Sequence, residues 1–336
     1  MSGVKCISKK IKVVVLSAGI LFSSLYLPGC GTKTNVPDPF DSASALTGYG
    51  IVRKPEEESI FFADNLCVTD GENLHDDKVH AYVAMAAGVF DATTKETLYK
   101  QDIFKNVYPA STTKIMTLLC AIKHGDLSKT VTVSENIQNI DSDSSVAGLH
   151  VGDQLTIRQL SYGLMLPSGN DAAIAIAEGV SGSVEAFAEL MNKEAQSLGA
   201  THSHFVNPHG LQDTNHFVTV YDMYLIFNEA LRYQDFTDVI QSPSYLCKYT
   251  DKDGNKVEKT WRNTVRYVSG TEDHPNGINV IGGKSGTTGA AKYCLVIYSK
   301  NEAGHDIISM VYGADARVNL YLLMKEILYY AKTPSA

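Results

Sequence analysis

Pro109-Ala110-Ser111-Thr112-Thr113-Lys114-Ile115-Met116-Thr117-Leu118-Leu119-Cys120-Ala121-Ile122-Lys123-His124-Gly125 is the stretch on which the reading of this chain turns. The apolar spacing from Ser111 to about His124 is helical, and Gly125 is suited to close the helix. Ser111 and Lys114 stand three residues apart, so their side chains share one face. A neutral Lys114 amine there can take the proton of the Ser111 hydroxyl. Burial and a second nearby cation would each lower the lysine pKa and make that possible near neutral pH. The pair alone decides nothing. The leader carries the same spacing in Ser2 and Lys5, and a serine after a proline-containing turn ordinarily caps a helix.

Outward from this helix, the elements segregate. Before it, Val79–Phe90 is apolar and β-prone, residues 91–95 read as a turn, and Glu96–Lys100 resumes a strand, which makes a hairpin. After it come helices over Leu155–Met165, Asp171–Val180, Val184–Leu198 and Val220–Arg232. A second hairpin is expected over Leu246–Val257 around Asp253-Gly254-Asn255. Gly277–Ser285, Ala291–Ser299 and Ile307–Gly313 are strand candidates, and Val318–Ala331 is a closing amphipathic helix. Helices grouped between strands argue for an α+β fold, an antiparallel sheet flanked by helices with a mainly helical subdomain, and against a parallel doubly wound sheet.

Two further segments carry polar chemistry. Leu166-Pro167-Ser168-Gly169-Asn170-Asp171-Ala172 places a hydroxyl and an amide between two predicted helices. Gly283-Lys284-Ser285-Gly286-Thr287-Thr288-Gly289 ends a strand with a lysine and hydroxyls. Each alone reads as loop punctuation. Together with Ser111-x-x-Lys114 they reproduce, in chain order, the S-x-x-K, S-D-N and K-T-G set of penicillin-recognising enzymes. From about Val79 to Ala331 the sequence resembles the serine D-alanyl-D-alanine carboxypeptidases, the low-molecular-mass penicillin-binding proteins of peptidase family S11. Phe205-Val206-Asn207-Pro208-His209-Gly210-Leu211 is close to a family hallmark. Met191-Asn192 with Leu198-Gly199, and Ala291–Val296, resemble other family stretches. Gly169 stands where relatives often have Asp, and Ser285 where Thr is commoner.

The resemblance implies roles. Ser111 is the nucleophile on the carbonyl between two terminal D-alanines of a peptidoglycan stem peptide. Lys114 is its base, and Ser168 relays a proton to the leaving amine. Asn170 binds the substrate backbone. Lys284 supplies positive charge beside Lys114 and for the substrate carboxylate. The N–H groups of Ser111 and Thr287 form an oxyanion hole. Ser285 and Thr288 offer hydroxyls to the substrate strand. Arg317 is either a carboxylate-binding arginine or a surface residue at a helix start. β-Lactams are the expected inhibitors, and no cofactor or metal is implied. His202-Ser203-His204 lacks a third ligand and reads as loop. Within the same superfamily a β-lactamase adds a glutamate for deacylation. Glu189 lies in a predicted helix and reads as a surface residue instead. A D,D-endopeptidase would use the same residues to cut cross-links. An inert wall-binding lipoprotein is a non-catalytic reading, and the intact motifs argue against it.

The 336 residues, with 44% hydrophobic and 20% charged, are those of an ordinary globular protein rather than a coiled coil, a collagen or a disordered chain. The formal charge of -8 argues against nucleic acid as a partner. Lys5, Lys9, Lys10 and Lys12 precede an apolar run, Val13–Leu27, too short for a membrane span of roughly 20 residues and typical of a secretory leader. Leu27-Pro28-Gly29-Cys30 resembles a bacterial lipobox, so a lipid on Cys30 is expected to hold the enzyme, extracytoplasmic, at the membrane. Loss of the four leader lysines takes the charge from -8 to -12. The expected organisation is a leader (1–29), a tether (30–77) and a catalytic domain (78–332). On this reading no C-terminal β-rich domain or anchoring helix, of the kind many relatives carry, is expected. Cys120 and Cys294 read as buried thiols, and nothing fixes whether Cys67 and Cys247 pair.

Overall fold

The computed structural model describes residues 63–332. The leader, Cys30 and most of the expected tether lie outside the described residues. Among the described residues, nine strands and eight α-helices follow in chain order. They are β1 Ala86–Asp91, β2 Glu96–Gln101, α1 Lys114–His124, β3 Thr130–Thr132, β4 Gln154–Thr156, α2 Ile157–Met165, α3 Asn170–Ser181, α4 Val184–Ser197 and α5 Val220–Ala230. The second half contributes α6 Gln234–Gln241, β5 Ser244–Thr250, β6 Lys256–Arg262, α7 Arg266–Ser269, β7 Ile278–Thr288, β8 Lys292–Asn301, β9 Asp306–Ala314 and α8 Arg317–Ile327.

The main sheet is antiparallel, in the order β2-β1-β9-β8-β7. Its central strands are buried on both faces, so their sequences are near-continuous apolar runs rather than alternating ones. In β9, Ile307 and Val311 face a core completed by Leu320, Leu323, Met324 and Ile327 of α8. Ile308, Met310 and Tyr312 face the opposite core, shared with the helices of the central block. α1 runs through that second core, and Ile115, Met116, Leu118, Leu119, Cys120 and Ala121 are all buried. The α+β architecture expected from the grouping of elements is the one observed.

Several local expectations need correction. Val79–Phe90 is not one strand. A 3₁₀ turn occupies Ala81–Val83, and extended pairing with β9 starts at Ala86. Gly125 ends α1 in an extended conformation, not a left-handed one. The hairpin β5–β6 belongs to a second sheet, β3-β4-β5-β6. Its strands β3 and β4 are only three residues long and carry too little pattern to read. α6 was hidden for the same reason: it rests on Phe236, Val239 and Ile240 within eight residues.

The chain is already packed on the body before Lys78. Cys67 is buried, its N–H donates to Tyr224 Oη at 2.8 Å, and its carbonyl accepts from Tyr221 Oη at 2.9 Å. Leu74 N donates to the Lys100 carbonyl. Cys67, Cys120, Cys247 and Cys294 are all free and buried, so Cys67 and Cys247 are not joined. Among the described residues no helix is long and apolar enough to cross a membrane, and no cluster of three His, Cys, Asp or Glu side chains could hold a metal.

Candidate active site

Three elements far apart in sequence converge on Ser111. The first is the 3₁₀ turn Ala110–Thr113 that leads into α1. Ser111 does not cap the helix. Thr113 occupies the N-cap position and makes no side-chain cap bond. Ala110, the first residue of this turn, holds φ +47°, a left-handed value that costs an L-residue free energy. The second element is the loop into α3, with Ser168 also left-handed at φ +65° and Asn170 as the first helical residue. The third is β7, the edge strand of the main sheet, which passes Ser285, Gly286 and Thr287 in front of Ser111 and carries the buried Lys284 near Lys114.

Lys114 is fully buried. Its Nζ lies 3.1 Å from Ser111 Oγ, 2.7 Å from Asn170 Oδ1 and 2.8 Å from the His209 carbonyl oxygen. The last two atoms can only accept. A neutral amine has two N–H groups and one lone pair, so satisfying both acceptors directs the lone pair at Ser111. Desolvation pulls the Lys114 pKa well below its ordinary value, the Lys284 charge lowers it further, and Asp171 opposes the shift. Lys284 is also fully buried, donates to the Ser285 carbonyl at 2.7 Å, and is pushed down to about 7 by desolvation.

Ser168 Oγ is buried and has no hydrogen-bond partner in the protein. An orphaned hydroxyl is costly unless a ligand uses it, and this one lines the same cleft as Ser111. Ser285 Oγ donates to Thr264 Oγ1 at 3.1 Å. Arg317 does reach the cleft wall, with its guanidinium 5.7 Å from the Tyr293 ring centre. Thr288 lies one step aside. Its hydroxyl accepts from Ala291 N and closes the β7–β8 turn, and its side chain borders an adjoining cavity that Ser111 and Asn170 also line.

Sequence reading missed several contributors. Arg266 of α7 lines the cleft beside Arg317 and stacks 5.4 Å from the Tyr321 ring centre. Nothing local marks an arginine in a four-residue helix as functional. Asp171 is buried and accepts from the backbone of Ala147, Gly148 and Leu149 at 2.7–2.9 Å, which anchors the loop whose Ser145 lines the cleft. Its place beside Asn170 was the available signal. Glu189 is exposed on α4 and lines neither cavity that contains Ser111.

The sequence profile of the D-alanyl-D-alanine carboxypeptidases, peptidase family S11, matches residues 72–316. The chain belongs to this family. D-alanyl-D-alanine carboxypeptidase DacF of Bacillus subtilis is 35% identical over 240 residues, covering 70% of this chain and 58% of the relative. A Streptomyces K15 D-alanyl-D-alanine carboxypeptidase is 35% identical over 231 residues, covering 65% of this chain and 76% of its own length. The crystal structure of the Streptomyces K15 DD-transpeptidase superposes with a TM-score of 0.68 at 30% identity, covering 74% of this chain and 96% of that one. The chain spans 58% of DacF and 51% of DacA of Haemophilus influenzae. The S11 fold is thus present, a transpeptidase-like α+β body with its three motifs around one cleft.

Proposed function

We propose that this S11 chain is a serine D,D-carboxypeptidase that removes the terminal D-alanine of peptidoglycan stem peptides and is acylated by β-lactams. The observation that carries the reading is the three-way coordination of Lys114 Nζ, with two obligate acceptors and the Ser111 hydroxyl. In that setting Lys114 removes the Ser111 proton as Oγ attacks the carbonyl carbon. The oxyanion develops toward the Ser111 and Thr287 backbone N–H groups, where fixed donors are worth about 3 kcal/mol each. The peptide C–N bond then breaks, and the leaving amine takes the proton through Ser168. Water repeats the sequence on the ester and frees Ser111. Arg317 and Arg266 line the cleft and the buried Lys284 lies in β7 beside it, which gives a positive field suited to a C-terminal carboxylate. The free edge of β7 suits an extended substrate that adds a strand.

A fluorescent penicillin is expected to label the wild-type protein, with the adduct mapping to the peptide containing Ser111. A pentapeptide ending in D-Ala-D-Ala is expected to release free D-alanine. Absence of label on the wild type overturns the proposal. Cleavage of cross-linked dimers in place of D-alanine release would replace it with the endopeptidase reading.

Extracytoplasmic attachment through a lipid on Cys30 belongs to the same proposal. It rests on the basic leader, the apolar run and the Leu27–Cys30 motif. Metabolic labelling with a fatty acid is expected to mark the wild type and to vanish in Cys30→Ala. Equal labelling of the two removes the lipid from the proposal.

A further inference from the structure

We infer that Asn207 is a positioning residue of the Ser111–Lys114 couple, acting through the His209 carbonyl. The inference rests on the D,D-carboxypeptidase reading and adds to it a residue outside the three motifs.

Of the two acceptors that orient the Lys114 amine, Asn170 Oδ1 is carried by the first turn of α3. The other, the His209 carbonyl, sits in a segment without helix or strand. Something must hold that carbonyl in place. Asn207 Oδ1 accepts from Gly210 N at 2.7 Å and from His209 N at 3.3 Å, while its Nδ2 donates to the Leu211 carbonyl at 3.1 Å. One amide side chain thereby spans the turn on both sides of His209, as Asn does when its side chain mimics a backbone turn. The turn is seated directly on the nucleophile's own turn. Gly210 has φ +87°, and a Cβ there would lie 1.8 Å from the Ala110 carbonyl oxygen.

Two more bonds register the segment along α1. Thr117 Oγ1 donates to the Pro208 carbonyl at 2.6 Å, on the same helix face as Lys114. His216 Nε2 lies 2.8 Å from Thr113 Oγ1, and His216 Nδ1 accepts from Val206 N at 3.2 Å. Burial pushes the His216 imidazole down to about 4, so the neutral ring carries its proton on Nε2 and donates it to Thr113. Desolvation and the neighbouring Lys114 push His209 down to about 3, so neither ring adds positive charge beside the base at neutral pH. The charged or titratable groups facing Lys114 from the packed elements are then Lys284 on β7, Asp171 on α3 and the neutral His209 imidazole, with His216 beside His209.

Without the Asn207 side chain the turn loses the three bonds that span His209, and the remaining contacts fix its neighbours but not the carbonyl itself at 2.8 Å. The amine then loses an acceptor and gains water, and its lone pair is no longer aimed at Ser111. Because desolvation is the main cause of its lowered pKa, hydration also leaves Lys114 protonated up to a higher pH.

The test is the rate of Ser111 acylation by fluorescent penicillin, followed across pH in the full chain, for wild type, Asn207→Ala and Asn207→Ser, with folded fraction measured by thermal melting. Asn207→Ala is expected to acylate roughly 10- to 100-fold more slowly at neutral pH, with the acidic midpoint of its profile moved upward. Asn207→Ser, whose hydroxyl makes the same turn bond more weakly, is expected between the two in both quantities. An unmoved midpoint in Asn207→Ala, with a rate reduced only as its folded fraction is, overturns the inference. If Asn207→Ala does not fold, the serine variant decides alone: an upward midpoint supports the role, and an unmoved one overturns it. A wild type that takes no label overturns the carboxypeptidase reading itself. A labelled wild type with unmoved variants removes only the role of Asn207.

Discussion

Lys114→Ala is expected to slow acylation of Ser111 by about 10³-fold or more, the upper part of what a positioned general base contributes and about 4 kcal/mol of barrier. Lys114→Arg should be as slow. A guanidinium is charged at every working pH and has no lone pair to accept the Ser111 proton. If the arginine variant stays within tenfold of wild type, Lys114 acts as a fixed charge and not as a base. Titration gives the complementary result. In the proposed mechanism acylation requires Lys114 neutral, so kcat/KM should rise with pH through its lowered pKa. It also requires positive Lys284, so kcat/KM should fall as that group loses its proton, near about 7 in the free enzyme. A rate that keeps climbing well above neutrality would exclude the charged form of Lys284 from the acylating state.

Gly286→Ala is expected to cost about 10²–10³ in acylation, the loss associated with a disabled oxyanion donor. A Cβ at 286 would stand 2.9 Å from Ser111 N, 3.0 Å from Thr112 N and 3.1 Å from Ala110 Cβ. Two of those are backbone atoms, so no side-chain rotation relieves the overlap and β7 must move off the nucleophile's turn. The Ser111 and Thr287 N–H groups are the proposed oxyanion donors, one on each of the two elements that the shift separates. β7 is an edge strand, paired only with β8 within its sheet, so the shift should lower the melting temperature far less than it lowers the rate. Gly289→Ala is the control. Nothing lies within 4 Å of its added carbon, and its acylation rate should match wild type. Equal effects at both positions would mean that the strand simply tolerates no substitution.

Fold and site were not equally legible. The chemistry-bearing residues could be picked out because each sits in a short window with its own spacing. Ser111 and Lys114 share a helix face, and Lys284, Ser285 and Thr287 end an apolar strand run. The grouping of helices between strands was legible for the same reason, since periodicities of 3.6 and 2 are local. Short elements such as β3, β4 and α6 were not, because three to eight residues hold too few periods and their existence depends on what they pack against.

By itself, then, the sequence singled out Ser111 and Lys114 as the candidate nucleophile and base, together with the other two motifs and the α+β class. Only the tertiary structure decided which way the pKa of that lysine moves. Its two acceptors come from positions 170 and 209, distant along the chain, and no window of sequence relates them to position 114. The burial that lowers its pKa comes from the packing of α1, α3 and β7 together. Arg266 and Asn207 belong to the same category, since their roles are defined by what folding brings beside them. Local propensity is written in neighbouring residues. A pKa, a lone-pair direction and a cleft are properties of the assembled core, where desolvation and a few fixed acceptors set the chemistry.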